Sequence, residues 1–252
     1  MSALVDNRRA RLAEYVPWIA RDYFTDQAPS TAIVIVLIAL FEAQAFRMGA
    51  GTRLGDMPQD VAARLLRGLA SILAFLGTFF ATNGIVSNDR KLGYYKFLFA
   101  KPVSPPWYYA LVFGIYGAGL LVVVLALLGA WAIIARPMFP IELFGAVALL
   151  YLAYGGIGFL LSAAWRFDWI SLVSVLLVAR LFWTVWGNAT GPAHWLLYLL
   201  PPIHRADSIT DIVMRSADTP VPWRLIAWLG GYGLTCFVAG MLVIRKRPLG
   251  TS

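Results

Sequence analysis

"WYYALVFGIYGAGLLVVVLALLGAWAII", residues 107–134, contains no charged side chain. As a helix it would be about 42 Å long at 1.5 Å per residue. A bilayer's hydrocarbon core is only about 30 Å thick, and roughly 20 helical residues cross it. So long an apolar run reads as a helix in lipid, tilted or extending past the hydrocarbon. Five further runs have spanning length: Ser30 to Phe46, Gly68 to Ser87, Ile141 to Trp165, Trp169 to Gly187 and Trp223 to Ile244. The runs are continuous rather than alternating, which points to helices and not to barrel strands.

Composition agrees. Of 252 residues, 60% are hydrophobic and 13% charged, at a mean hydropathy of +0.71. An ordinary soluble domain is about 25% charged. The expected fold is therefore an all-α polytopic membrane protein with six transmembrane helices over residues 30–252, preceded by an N-terminal segment, 1–29. The net charge of +8 fits basic loops facing an anionic cytoplasmic leaflet, not a nucleic-acid partner. The first 28 residues interleave Arg8, Arg9, Arg11 and Arg21 with Asp6, Glu14, Asp22 and Asp26, and lack the apolar region of a cleavable signal. The one cysteine, Cys236, lies inside the last run, so no intrachain disulfide or cysteine metal cluster is expected.

Six spans place both termini on one side. With that side cytoplasmic, the inside segments carry twelve basic residues and the outside segments eight, and all four lysines fall inside. A cell-membrane protein with cytoplasmic termini is the expectation. Before the first span, Leu12, Val16, Ile19 and Tyr23 recur at helical spacing with charges opposite, predicting an amphipathic helix in the headgroup plane. Pro17 is expected to break or bend that helix, and Pro29 to mark the turn into the membrane.

The connection before the last span is long. In "GNATGPAHWLLYLLPPIHRADSITDIVMRSADTP" (187–220), Trp195 to Leu200 is apolar but too short to cross, and Pro201-Pro202 end it. A re-entrant hairpin over 192–214 is expected, packed on protein.

Catalytic motifs are absent. No Walker A, G-x-S-x-G, H-E-x-x-H or C-x-x-C sequence occurs. His194 and His204 read as interfacial polar residues rather than metal ligands. Paired glycines inside the spans, among them Gly155, Gly156 and Gly158, and Gly230, Gly231 and Gly233, read as sites of close helix packing. Neither an enzyme nor a metal protein is expected.

One loop stands out. "VSNDRKLGYYKFLFAKPVSPPWYY" (86–109) carries four basic residues and seven aromatics from the end of the second span to the start of the third. Ser87 or Asn88 can cap a helix, Asp89 complements its positive end, and Pro102 stops it. The product is a short helix over 88–101, with aromatics suited to a partner's groove or, in the plainer reading, to lipid headgroups.

At this point the chain resembles the membrane subunits of ABC exporters of the type-2 permease class. Those chains have six spans, an N-terminal interfacial helix, a coupling helix between spans two and three, and a re-entrant pair of short helices before the last span. Their coupling region reads acid, Arg, acid, then Gly, an apolar stretch and Pro-Val-Ser. This sequence offers Asp89, Arg90, Gly93, Phe97-Leu98-Phe99 and Pro102-Val103-Ser104, and departs at Lys91 and Lys96. The resemblance implies a dimer of permeases, homodimeric or with a paralogue, above two ATPase subunits that bind the ATP and Mg. Docking would fall to Asp89, Arg90, Gly93, Tyr95, Phe97, Leu98 and Pro102. The hairpin with Trp195, Pro201 and Pro202 would form the outer gate. The reversed charges at Lys91 and Lys96 imply an ATPase with a more acidic groove. Few fixed charges in the spans suit an amphipathic or lipid-like cargo. The rival reading is a membrane scaffold or assembly factor whose basic loop binds lipid or protein without a transport cycle.

Two intramembrane charges remain. Glu42 and Arg180 both lie within roughly 6–11 Å of the outer boundary. A lone charge near a helix centre costs about 2.5–3.5 kcal/mol on insertion scales. The two are therefore expected to pair and help close the outer side.

Overall fold

The computed structural model describes residues 14–50, 58–82, 85–86, 89, 104–134, 142–164, 168–187, 197–202, 209 and 222–246. Among these there is no strand. Helix α1 (14–22) runs into a π-helical turn, Tyr23–Gln27, and then into α2, Ala28–Ala50. The others are α3 Gln59–Thr82, α4 Pro105–Ile134, α5 Glu142–Ala164, α6 Asp168–Trp186 and α7 Trp223–Lys246.

Among the described residues, three helices are long and apolar enough to cross a membrane: α4, α5 and α7. The chain is thus all-helical with the character of a membrane protein. The other three apolar runs also lie on helices, but with shorter uninterrupted apolar stretches, Gly68–Thr82 in α3 and Ile170–Trp186 in α6.

Three local expectations change. The second run is helical from Gln59, not Gly68, and stops at Thr82 rather than Ser87. Ile85 and Val86 form a turn, with the Ile85 N–H donating to the Thr82 carbonyl at 3.5 Å. Pro17 does not interrupt the described helix, which runs unbroken from 14 to 22. Nor does the chain turn at Pro29. Proline has no N–H and its ring crowds the carbonyl four residues back, here that of Thr25. The wider π turn directly before it, closed by the Ala28 N–H on the Tyr23 carbonyl, takes up that misfit and the helix continues. The buried residues record the insertion: Ile19, Tyr23, Ala28, Thr31 and Ile35 step by four, five, three and four.

Helix α5 is the hub. It is buried along most of its length and packs on α3, α4, α6 and, most extensively, α7. In lipid, helices gain little hydrophobic energy by touching one another, so close van der Waals contact has to hold them. The α5–α7 seam provides it through glycine. A Cβ on Gly156 would overlap the carbonyl oxygen of Gly233, and one on Gly233 would overlap that of Leu152. The expected role of these glycines is met at 156 and 233, whereas Gly231 faces open space. Gly117 does the same for a ring: a Cβ there would come within 2.6 Å of Tyr151. That clearance lets the Tyr151 hydroxyl donate to the Phe113 carbonyl at 2.6 Å. Around it Phe113, Phe159 and Phe237 stack with centroids 4.8–5.8 Å apart, joining α4, α5 and α7. Each such pair adds about 0.5–1.5 kcal/mol beyond burial.

Candidate functional site

The first three turns of α4 carry Tyr108, Tyr109, Val112, Phe113 and Tyr116, all buried. A phenol in an apolar helix needs a partner for its hydroxyl. Two of these find carboxylates far away in sequence. Tyr109 donates to Asp89 at 3.0 Å, and Tyr116 donates to Asp22 at 2.6 Å. The Tyr15 ring meets Tyr108 edge-on at 5.8 Å, and Tyr23 leans on Tyr116 at 5.1 Å. A Cβ on Gly119 would strike the Tyr23 ring, so a glycine admits it. The N-terminal helix and the segment after α3 thus converge on one end of α4.

That segment has a second anchor. The Val86 N–H donates to the Ser162 hydroxyl at 3.2 Å, near the end of α5. Val86 is therefore tied to α5 through Ser162, and Asp89 to α4 through Tyr109. The Asp89 carboxyl is pushed up to about 6: burial raises it most, the Tyr109 hydrogen bond opposes this, and the charge of Asp22 adds to it. The Asp89 carboxylate accepts from Tyr109. Of the remaining docking residues, Arg90, Gly93, Tyr95, Phe97, Leu98 and Pro102 lie outside the described residues.

At the opposite end, part of the expected hairpin is described. Leu197, Pro201 and Pro202 are buried, and Tyr198 joins an aromatic group with Trp183 of α6 and Trp228 of α7 at 5.2–6.2 Å. Tyr232 donates its hydroxyl to the Leu199 carbonyl at 3.0 Å. Tyr232 stands nine residues into α7, about 13 Å along it. Irregular backbone at such depth is tolerated where protein satisfies its polar groups. Tyr232 satisfies a carbonyl, and the two prolines bring no N–H. Ile209 packs with Ala146, Ala153 and Leu229, between α5 and α7. Trp195 lies outside the described residues.

Glu42 is on α2, and its side chain lies outside the described residues; Arg180 is exposed on α6, at the rim of a pocket between α3, α5 and α6. Among the described residues no cluster of three or more metal-ligating side chains occurs. Sequence reasoning passed over Asp22, Tyr109, Tyr116, Ser162 and Tyr232. The tyrosines were detectable in principle, since 109 and 116 share a helical face within an apolar run. Their carboxylate partners were not.

The chain matches no family model and no curated protein.

Proposed function

We propose that this chain is the permease subunit of an ATP-driven ABC exporter, with six spans and cytoplasmic termini. Two permeases form the pathway, and two separate ATPase subunits, which carry the ATP and Mg, dock at the 88–101 segment. The cargo is amphipathic or lipid-like. One observation carries the reading: the connection after α3 is bonded to the helical core at both ends of residues 86–89. A loop that only rested on headgroups would need no such ties. A loop that receives a push from a partner does, because the displacement must reach helices rather than dissipate. The Asp22–Tyr116 bond ties the N-terminal helix to the same end of α4. The hairpin segment seated on α6 and α7 at the other end suits an outer gate.

The test is purification in mild detergent with identification of co-purifying chains, for the native sequence and for Tyr95→Ala with Phe97→Ala. A stoichiometric P-loop ATPase is expected with the native chain. The double variant should reach the membrane normally yet lose the ATPase or uncouple hydrolysis from export. A chain that purifies without any ATPase, or a variant with normal complex yield and transport, would favour the scaffold reading.

A further inference from the structure

Helices α3, α5 and α6 enclose a pocket of about 420 Å³, within the range of about 300–1,000 Å³ that holds small ligands. Ile72 and Phe75 of α3, Leu150 of α5, and Leu176 and Leu177 of α6 supply apolar wall, and Arg180 closes one end. Val173, Leu176, Leu177 and Arg180 follow at three- and four-residue steps, so a single face of α6 provides that side. From Val173 to Arg180 the wall runs about 10 Å, and Arg180 stands six residues before the end of α6. Arg180 thus marks the end of the α6 wall nearer the C-terminus of that helix, with apolar side chains along the rest. Leu177 is 58% exposed, which leaves a side opening toward whatever surrounds α6.

No acidic side chain is among the described lining residues. A neutral apolar molecule would fill the walls and leave the guanidinium without an anion. A small anion would answer the guanidinium and leave the apolar walls empty. A molecule with an acidic head and a hydrocarbon tail satisfies both. Arginine's planar fork matches a carboxylate or phosphate with two parallel hydrogen bonds.

We propose that this pocket binds an anionic amphiphile, its acyl chain along Phe75, Leu150 and Leu176 and its acidic head on the Arg180 guanidinium. The occupant enters from the bilayer past Leu177. Binding stands on the pocket alone; that the amphiphile is exported cargo rests on the transport reading. The experiment therefore uses the permease without its ATPase, so failure of either idea is seen separately.

The full chain is placed in nanodiscs of zwitterionic phosphatidylcholine with a fatty acid carrying a mid-chain diazirine. After photolysis, labelled peptides are mapped by mass spectrometry. Labelling is expected at the segments around Phe75 and Leu176, and should be competed away by unlabelled fatty acid. Arg180→Gln should weaken it by about tenfold or more, the loss expected for a charge-assisted hydrogen bond. Arg180→Lys should retain part of it, and the matching fatty alcohol probe should label weakly and ignore position 180. Leu177→Trp, which narrows the opening and keeps the cation, should also reduce labelling, so the proposal stays open to refutation if Arg180→Gln fails to fold. Equal labelling by acid and alcohol, labels spread evenly over all lipid-facing helices, or unchanged labelling in Leu177→Trp would overturn it.

Discussion

Gly156→Ala is the sharpest perturbation of this fold. The added methyl would overlap the Gly233 carbonyl oxygen and lie 2.8 Å from its carbon and 3.0 Å from its Cα. Carbon atoms rest at about 3.5–4.0 Å, so α5 and α7 must separate by roughly 1 Å. The obstacle is backbone, and no rotamer change relieves it. Overpacking of this kind costs about 1–3 kcal/mol, and alanine's better helix propensity returns about 0.5–1 kcal/mol. The net loss is about 0–2.5 kcal/mol, up to a factor of roughly 70 in the folded ratio. Gly231, two residues from Gly233, has nothing within 4 Å of an added Cβ. Gly231→Ala should be neutral or slightly stabilising. The chain contains its own reporter, because its one cysteine, Cys236, is half-buried on α7, three residues past Gly233. Reaction with a thiol-activated dye during a thermal ramp follows the opening of this helix. Gly156→Ala and Gly233→Ala should melt below the native chain and Gly231→Ala at or above it. If all three melt together, backbone contact does not hold the seam.

Two further outcomes concern the inner end and the topology. The folded Asp89 carboxyl keeps its proton to about pH 6, against about 3.9 when unfolded. The contribution of Asp89 to stability is therefore fully present below about pH 4 and is lost as pH rises through about 6, a change of about 1–2 kcal/mol after allowance for its partial exposure. Asp89→Asn should flatten thermal stability across that window, and an unchanged slope would place the titrating group elsewhere. With Cys236→Ala as background, a cysteine at Lys96 should be shielded from an impermeant thiol reagent outside intact cells and one at Ser208 labelled; labelling at 96 would invert the topology and remove the docking assignment.

Helices were legible because lipid leaves the backbone few other options, and so runs such as 107–134 and 141–165 agree with α4 and α5 to within two residues. The start of α3 was missed because Asp60, Arg64 and Arg67 interrupt the apolar run, although Ala62, Leu66, Leu69 and Leu73 keep a buried helical period through them. Its end was misjudged for a different reason. Hydrophobicity continues through Ile85-Val86, whereas the helix stops just before Asn83-Gly84, residue types suited to a C-terminal cap. The links Asp89–Tyr109 and Asp22–Tyr116 cross 20 and 94 residues and involve no repeat or motif. The docking sequence was read from residue types alone, and only its first member, Asp89, falls among the described residues.

The π turn at Tyr23–Gln27 gives the N-terminal rod a surplus residue. Each residue turns an α-helix by about 100°, so the surplus sets the angular phase between α1 and α2. Removing one residue from 23–27 would leave a rod of nearly the same length but return the Pro29 ring to its clash with the carbonyl four residues back. Everything before it would be rotated by about a quarter turn, and Asp22 would face away from Tyr116. The spelling of this helix is therefore less constrained than its count. Many substitutions between 23 and 27 would preserve the gearing of the N-terminal helix to α4, whereas a single deletion would unmesh it.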